Sequence, residues 1–164
     1  MKLTDKITKK GKAFYKKLSA INNPRTEVSV GVFDDSGDEP DGTPLVEIAR
    51  IHEFGGKTIT TKDGRSVQNP PRRSWLRDTF DKDRRKLEKR WTTTMRNAAL
   101  GKGSVKKYYD QFGALFAADI QLRISNGISP PNAETTIMIK GSSKPLIDTG
   151  NFRSSIAFKT KVGS

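Results

Sequence analysis

The apolar residues near the N-terminus predict a helix followed by a strand. Three of them fall at near-helical spacing, with lysines covering the remaining face: Ile7, Phe14 and Leu18. Thr4 is a candidate N-cap and Asn22-Asn23-Pro24 stops the helix, so residues 1–23 are predicted to form a basic N-terminal helix. The chain then alternates apolar and small residues at Val28, Val30 and Val32, which is typical of a strand with one buried face.

The next segment predicts a loop, a short helix and a hairpin. Asp34 to Pro44 is rich in acidic and turn-forming residues, and we expect it to be a flexible loop. Helical spacing returns at four apolar residues before Gly55-Gly56 stops the helix: Leu45, Ile48, Ala49 and Phe54. Lys57 to Asn69 is a second flexible segment, in which Asp63-Gly64 lies between threonine-rich arms and favours a hairpin.

Two long amphipathic helices are predicted in the second half of the chain. After Pro70-Pro71 one helix runs to a stop near Gly101, with six residues on its apolar stripe: Leu76, Phe80, Leu87, Trp91, Met95 and Ala98. A second helix begins after Ser104 and ends at Asn126-Gly127. Five residues form its stripe and three more widen it: Val105, Tyr109, Phe112, Phe116 and Ile120, with Tyr108, Leu115 and Leu122.

The segment Lys144-Pro-Leu-Ile-Asp-Thr-Gly-Asn-Phe-Arg-Ser-Ser-Ile156 combines a rigid start, a capped turn and the beginning of a strand. Its proline fixes one φ, and Asp148 or Thr149 can accept hydrogen bonds from the free N–H groups of a turn. Gly150 tolerates a positive φ. Strict alternation from Ile156 to Val162 then predicts a half-buried last strand.

These elements together predict an α+β fold. Ser129 to Asn132 is a proline-containing connector, and Ala133 to Ile139 can form either a short helix or a strand. No internal repeat divides the chain, so residues 1–164 are expected to form a single domain, of which residues 24–164 are the α+β part. The predicted architecture is a small mixed or antiparallel sheet covered by two long α-helices, with the N-terminal helix and flexible loops added to it.

Composition limits the classes of function. The chain has 31 Lys and Arg residues against 18 Asp and Glu, a net charge of +13, which predicts attraction to phosphate-rich or acidic partners. It contains no cysteine, which excludes disulfides, thiolate metal sites and cysteine nucleophiles. No apolar run approaches the roughly 20 residues that cross a bilayer, and the N-terminus lacks the apolar segment of a secretory signal. We therefore expect no membrane partner.

No motif for catalysis or metal binding is complete in the sequence. His52-Glu53 lacks the second histidine of a His-Glu-x-x-His zinc motif, because this is the only histidine of the chain. Packing at a helix end explains a histidine there without any chemistry. A calcium loop that starts at Asp34 would need a carboxylate at its twelfth position, where Leu45 stands. We therefore predict no enzymatic activity, no cofactor and no metal site.

The first long helix carries the best candidate for phosphate contact. Four basic residues share the side of this helix that faces away from Leu87 and Trp91: Arg85, Lys86, Lys89 and Arg90. They can face DNA or an acidic protein, or they can form an ordinary solvated helix face with local acidic partners. No recognition-helix motif and no aromatic-studded sheet is apparent, so reading of a base sequence is not expected.

Three segments, in this order, resemble the tail-completion and neck proteins of tailed bacteriophages, the HK97 gp10-like family. They are His52-Glu-Phe-Gly-Gly56, Asn69-Pro-Pro-Arg-Arg-Ser-Trp-Leu-Arg77 and the segment from Pro145 to Ile156. The resemblance implies structural roles for the matching residues: His52, Glu53, Gly55, Pro71, Arg72, Leu76, Leu146, Asp148, Thr149, Gly150 and Ile156. The chain departs from the family at Arg73-Ser74-Trp75, where the family usually has a Pro-Phe pair.

The resemblance implies a virion structural protein of the phage neck or tail top. Its copies would form a ring, a hexamer in preference to a dodecamer, that completes the tail and joins it to the DNA-filled head. The implied partners are the adjacent portal-side connector, the tail tube or terminator proteins, and packaged DNA that passes through the channel. Assembly would take place in the host bacterial cytoplasm. The net charge suggests an alternative, a free basic nucleic-acid-binding protein.

Overall fold

Helices and short strands are interleaved along the chain in a computed structural model that describes residues 8–60, 64, 66–134, 137–138, 145–146 and 150–163. The elements in chain order are α1 (Lys9–Asn22), β1 (Glu27–Gly31), a 3-10 turn (Asp34–Ser36), α2 (Leu45–Phe54), β2 (Lys57–Thr60), β3 (Ser66–Asn69), α3 (Arg77–Lys82), α4 (Arg84–Leu100), α5 (Val105–Asn126), α6 (Asn151–Ser154) and β4 (Ala157–Lys161). The predicted α+β class is confirmed. Within the described residues the strands form two separate pairs, β1 with β4 and β2 with β3.

The chain divides into two compact units, each built from distant segments. Unit 1 contains Met1–Ser29, Arg85–Ala114 and Phe158–Ser164, and unit 2 contains Val30–Arg84 and Leu115–Ala157. Because both units draw on several segments, no single cut in the chain separates them. The single-domain organisation with a helix over residues 1–23 stays a prediction.

In unit 1, the start and end of the chain are tied together by hydrogen bonds. The predicted cap Thr4 lies outside the described residues, and the hydroxyl of Thr8 accepts from the Gly11 N–H at 3.1 Å at the start of α1. The hydroxyl of Thr26 donates to the Ala20 carbonyl at 2.6 Å and accepts from the Gly163 N–H at 2.9 Å. These bonds hold the end of α1 beside the C-terminus.

The core of unit 1 lies between α4 and the first half of α5. Leu87 and Ala98 of α4 are buried, as predicted, and so are Val105 and Tyr109 of α5. Trp91 packs edge-on against two rings of α5, at 5.2 Å from Tyr109 and 4.9 Å from Phe112 between ring centroids. In the same unit, a Cβ at Gly113 would lie 2.7 Å from the ring of Phe158, so glycine lets α5 approach β4 closely.

The single long helix predicted from Leu76 to Gly101 is broken in two, so this prediction was wrong. Asp83 ends α3 with φ −98° and ψ 10°, outside the helical region, and α4 begins at the next residue. The Asp83 carboxylate lies 3.4 Å from the Arg123 guanidinium within unit 2. Aspartate is unfavourable inside a helix, because its side chain competes with the backbone for local hydrogen bonds. The ion pair with Arg123 fixes Asp83 at the break between α3 and α4.

Several apolar residues predicted to be buried in unit 2 are exposed instead. The exposed fraction is 48% for Phe80, 50% for Leu115 and 60% for Leu122. Thr79 is fully buried next to Phe80, and its hydroxyl donates to the Trp75 carbonyl at 2.6 Å. The buried side of α3 therefore holds Thr79 and not Phe80. Thr79 can be buried there because its hydroxyl has a backbone acceptor.

The predicted hairpin and loop of unit 2 are both formed. β2 and β3 pair antiparallel from Lys57 opposite Asn69 to Thr60 opposite Ser66, and Asp63 lies outside the described residues. The acidic segment from Asp34 to Pro44 is closed by an antiparallel bridge between Asp38 and Pro44. The expected loop therefore has internal structure of its own.

The C-terminal part of the chain follows the predicted order of turn and strand. The Ile137 N–H donates to the Ala133 carbonyl at 3.0 Å, which favours the helical alternative for this segment. Gly150 has φ 85° and precedes the one-turn helix α6. Exposed and half-buried residues alternate through β4, as the sequence predicted.

Candidate functional site

The carboxylate of Glu53 is buried at the point where α2 meets the start of α3, with only 6% of the residue exposed. Its Oε1 accepts from the Ser74 hydroxyl at 2.7 Å and the Arg77 N–H at 3.3 Å, and its Oε2 accepts from the Leu76 N–H at 3.0 Å. The first N–H groups of a helix have no partner within it, and a negative charge is favourable there. Glu53 therefore caps α3 from another helix.

An aromatic contact extends this site towards the C-terminus of unit 2. Trp75 is buried and donates from its indole Nε1 to the Ala49 carbonyl of α2 at 3.0 Å. The ring of Phe152, from α6, lies edge-on to the ring of Trp75 at 5.5 Å between centroids, and it is tilted against the ring of His52 at 6.4 Å. His52 packs at a helix end beside a phenylalanine, the arrangement expected of a structural histidine.

Arg73 is a buried cation, with 6% of the residue exposed. Its guanidinium donates from Nε to the Pro130 carbonyl at 2.8 Å, and from Nη2 to the Pro131 carbonyl at 3.1 Å and the Asn132 amide oxygen at 3.4 Å. Burial lowers the pKa of Arg73 from its usual value. This side chain fixes the proline connector to the segment that leads into α3.

Two glycines allow residues 52–56 to meet residues 69–77 at the base of the β2–β3 hairpin. Gly55 ends α2 with φ 88°, and its N–H donates to the Ile51 carbonyl at 2.7 Å. The Gly56 N–H donates to the Pro70 carbonyl at 2.8 Å. A Cβ at Gly56 would collide with the backbone of Asn69 and the ring of Pro70. Only glycine fits at this close approach.

The structure thus joins parts of all three segments in one group of side chains, the Glu53 cluster: His52, Glu53, Ser74, Trp75 and Phe152. Of the other predicted positions, Leu76 donates its backbone N–H to Glu53, and Ile156 is buried. Pro71 and Leu146 are half-buried and Arg72 is exposed, while Asp148 and Thr149 lie outside the described residues.

Sequence reasoning missed Ser74 and Trp75 as members of this group, and it missed the buried contacts of Arg73. Trp75 is buried and precedes α3. The one local signal was Ser74, a residue type that favours helix starts, three positions before Arg77. No local signal could reveal Arg73, because its acceptors lie 57 to 59 positions further along the chain.

The four basic residues predicted on the first long helix belong to unit 1, and the Glu53 cluster belongs to unit 2. Arg85, Lys86 and Lys89 are exposed, and Arg90 is half-buried. Leu87 is buried on the other side of α4, as predicted. Basic side chains on this side of α4 attract the phosphates of a nucleic acid and the carboxylates of an acidic protein alike.

The net charge of the chain is concentrated in one unit. Unit 1 contains 18 of the 31 Lys and Arg residues and 4 of the 18 Asp and Glu residues, a net charge of +14. Unit 2 contains the other 13 basic and 14 acidic residues, a net charge of −1. Attraction to acidic partners is therefore a property of unit 1.

Among the described residues, no three His, Cys, Asp or Glu side chains gather in a way that could hold a metal ion. No helix in the same part of the chain has both the length and the apolar character to cross a bilayer. Comparisons of the chain with protein-family models, with curated protein sequences and with solved structures found no match.

Proposed function

We propose that the protein is a virion structural component of a tailed bacteriophage, placed at the neck or tail top. Its copies form a closed ring, a hexamer in preference to a dodecamer, that completes the tail and joins it to the DNA-filled head. Its partners are the portal-side connector on one side and the tail tube or terminator on the other. The protein acts by assembly and carries out no reaction.

The observation that supports this proposal most is the Glu53 cluster. Three short segments that resemble the neck-protein family, far apart in sequence, contribute side chains that contact one another. Their polar groups cap a helix and bond to backbone, and their aromatic rings pack. These contacts are structural, which fits the role that the family resemblance implies for His52 and Glu53. Ser74, Trp75 and Phe152 complete the cluster at positions to which the resemblance assigns no role.

The concentration of positive charge in unit 1 supports the proposed contact with packaged DNA or with an acidic neighbouring protein. Unit 1, with a net charge of +14, has exposed basic residues on α1 and α4. In a ring around a channel, such a surface attracts packaged DNA as it passes or an acidic face of the next protein layer.

The assembly state of the purified full chain tests the ring. Six copies of the 18.2-kDa chain have a mass of about 109 kDa, and negative-stain images should show closed rings at that mass. A chain that remains monomeric at all accessible concentrations in moderate salt would contradict the proposal.

The second candidate is a free nucleic-acid-binding protein, and the charge of unit 1 is the observation that favours it. It predicts tight binding of duplex DNA by the monomer, with an affinity that rises with DNA length and falls steeply with salt. The ring proposal predicts weak binding by the monomer. Fluorescence anisotropy with labelled duplexes of two lengths separates the two functions.

A further inference from the structure

Helix α1 presents a face of lysines to solvent. Lys9, Lys12 and Lys16 occupy positions i, i+3 and i+7, which share one side of a helix, and all three are exposed. The helix contains no acidic residue, and none of its residues is fully buried. An adjoining side of the helix is half-buried at Lys17, whose Nζ donates to the Gly101 carbonyl in the same unit. The lysine face is therefore available to a partner.

The segment from Asp34 to Pro44 in unit 2 has the opposite character. Five acidic residues and no basic residue occur in it: Asp34, Asp35, Asp38, Glu39 and Asp41. Its own bonds hold its shape, since the Glu39 N–H donates to the Thr43 carbonyl at 2.9 Å and the Leu45 N–H donates to the Gly37 carbonyl at 3.0 Å. All of these carboxylates except that of Glu39 belong to exposed residues. We call this segment the acidic loop.

From this complementarity we infer that the lysine face of α1 in one copy docks on the acidic loop of the next copy. Two α1 faces cannot pair with each other, because lysines would lie opposite lysines, and two acidic loops repel in the same way. The favourable contact joins two different surfaces, which is a heterologous contact and closes into a ring when its rotation permits. The inference rests on the proposed ring and names the surfaces that build it.

Duplex DNA is the competing occupant of the lysine face, since phosphates also attract lysines. DNA has no favourable interaction with the acidic loop. Reversing the charge of the loop therefore distinguishes the two occupants, because it weakens contact between copies and leaves contact between α1 and DNA intact or stronger.

The test is a charge swap on the full chain, with mass photometry as the readout of assembly. One variant carries Lys12→Glu and Lys16→Glu, a second carries Asp34→Lys and Asp38→Lys, and a third carries all four changes. Each one-sided variant should raise the dissociation constant of the assembly at least about tenfold in low salt, and the fourfold variant should restore it to within about threefold. Wild-type assembly should weaken as salt is raised towards 1 M, where the screening length is about 3 Å.

A matched control carries Arg96→Glu and Lys102→Glu, two exposed basic residues of unit 1 outside α1, with the same change in net charge. It should assemble like the wild type, and circular dichroism melting should be unchanged in every variant. Assembly that is indifferent to both one-sided variants would overturn the docking inference and leave the ring standing. Loss of assembly and of DNA binding only in the α1 variant would overturn it in favour of DNA. A monomeric wild type would overturn the ring itself.

Discussion

The carboxylate of Glu53, at the penultimate position of α2, accepts a hydrogen bond at 3.0 Å from the backbone N–H of Leu76, the residue that precedes α3. The same carboxylate accepts from Ser74 and Arg77. Three donors thus depend on one buried side chain that arrives from a different helix. In the His52-Glu53 pair, the glutamate carboxylate is therefore occupied by structural hydrogen bonds between α2 and the start of α3.

Replacing Glu53 should destabilise the protein strongly. Glu53→Ala leaves buried donors without an acceptor, so we expect the free energy of unfolding to fall by about 2–4 kcal/mol. Glu53→Gln keeps one acceptor oxygen and should cost about half as much. Urea unfolding followed by circular dichroism measures both. Glu47→Gln, which affects only an exposed contact with Arg50, is the matched control and should change little. Equal effects of the Glu53 and Glu47 variants would contradict the capping role.

Phe152 and Phe80 test the core of unit 2 with the same substitution. Phe152 is buried against Trp75 and His52, so Phe152→Ala should lower the free energy of unfolding by about 3–5 kcal/mol. Phe80 is 48% exposed, and Phe80→Ala should cost less than half of that. The comparison uses chemical denaturation at one temperature. A larger loss for Phe80 would mean that the α3 stripe predicted from the sequence is the real core.

Gly56 tests the close approach at the base of the hairpin. Gly56→Ala places a methyl group against Asn69 and Pro70, and we expect a loss of about 1–3 kcal/mol of unfolding free energy. The control is Gly42→Ala, where the glycine has φ 82° but its added Cβ meets no atom, so only backbone strain of about 1–2 kcal/mol is added. A Gly56 variant as stable as the wild type would show that the hairpin base does not need this contact.

Tyr109 gives a prediction for alkaline pH. Burial raises the pKa of Tyr109 in the folded protein above its usual value near 10. Between these two pKa values the unfolded chain loses the phenolic proton and the folded chain keeps it, so stability falls as pH rises through that range. The decrease in Tm from pH 9 to pH 11 should be smaller in Tyr109→Phe than in the wild type. Tyr15→Phe, at an exposed position, should follow the wild-type decrease; identical slopes in all three proteins would contradict the effect.

Periodicity and capping residues were enough to predict most elements of this fold. The alternation around Val28 and Val30 gave β1, Gly55 gave the end of α2, and Ser104 with Asn126-Gly127 gave both ends of α5. These signals are local, because they depend on neighbours within one or two turns of the backbone. The segments that resemble the phage family were found in the same way, from short runs of capping and turn residues.

The sequence did not predict what depends on distant contacts. The break at Asp83 coincides with an ion pair to Arg123, 40 positions further along the chain, and the burial of Arg73 depends on carbonyls of the proline connector. Once the helix is broken, the buried side of α3 holds Thr79 in place of Phe80. Tertiary contacts between distant segments likewise bring His52, Glu53, Trp75 and Phe152 together, and a local sequence pattern cannot predict such contacts.

The measurement that tests the proposed neck function most directly is electron microscopy of lysates of the phage proposed to carry this gene, with the gene silenced and with a wild-type copy supplied in trans. The proposed neck function predicts filled heads beside unattached tails, or tails with abnormal upper ends, and recovery of joined particles with the supplied copy. Normal infectious particles without the protein would contradict a role in joining head to tail and would favour nucleic-acid binding as its function.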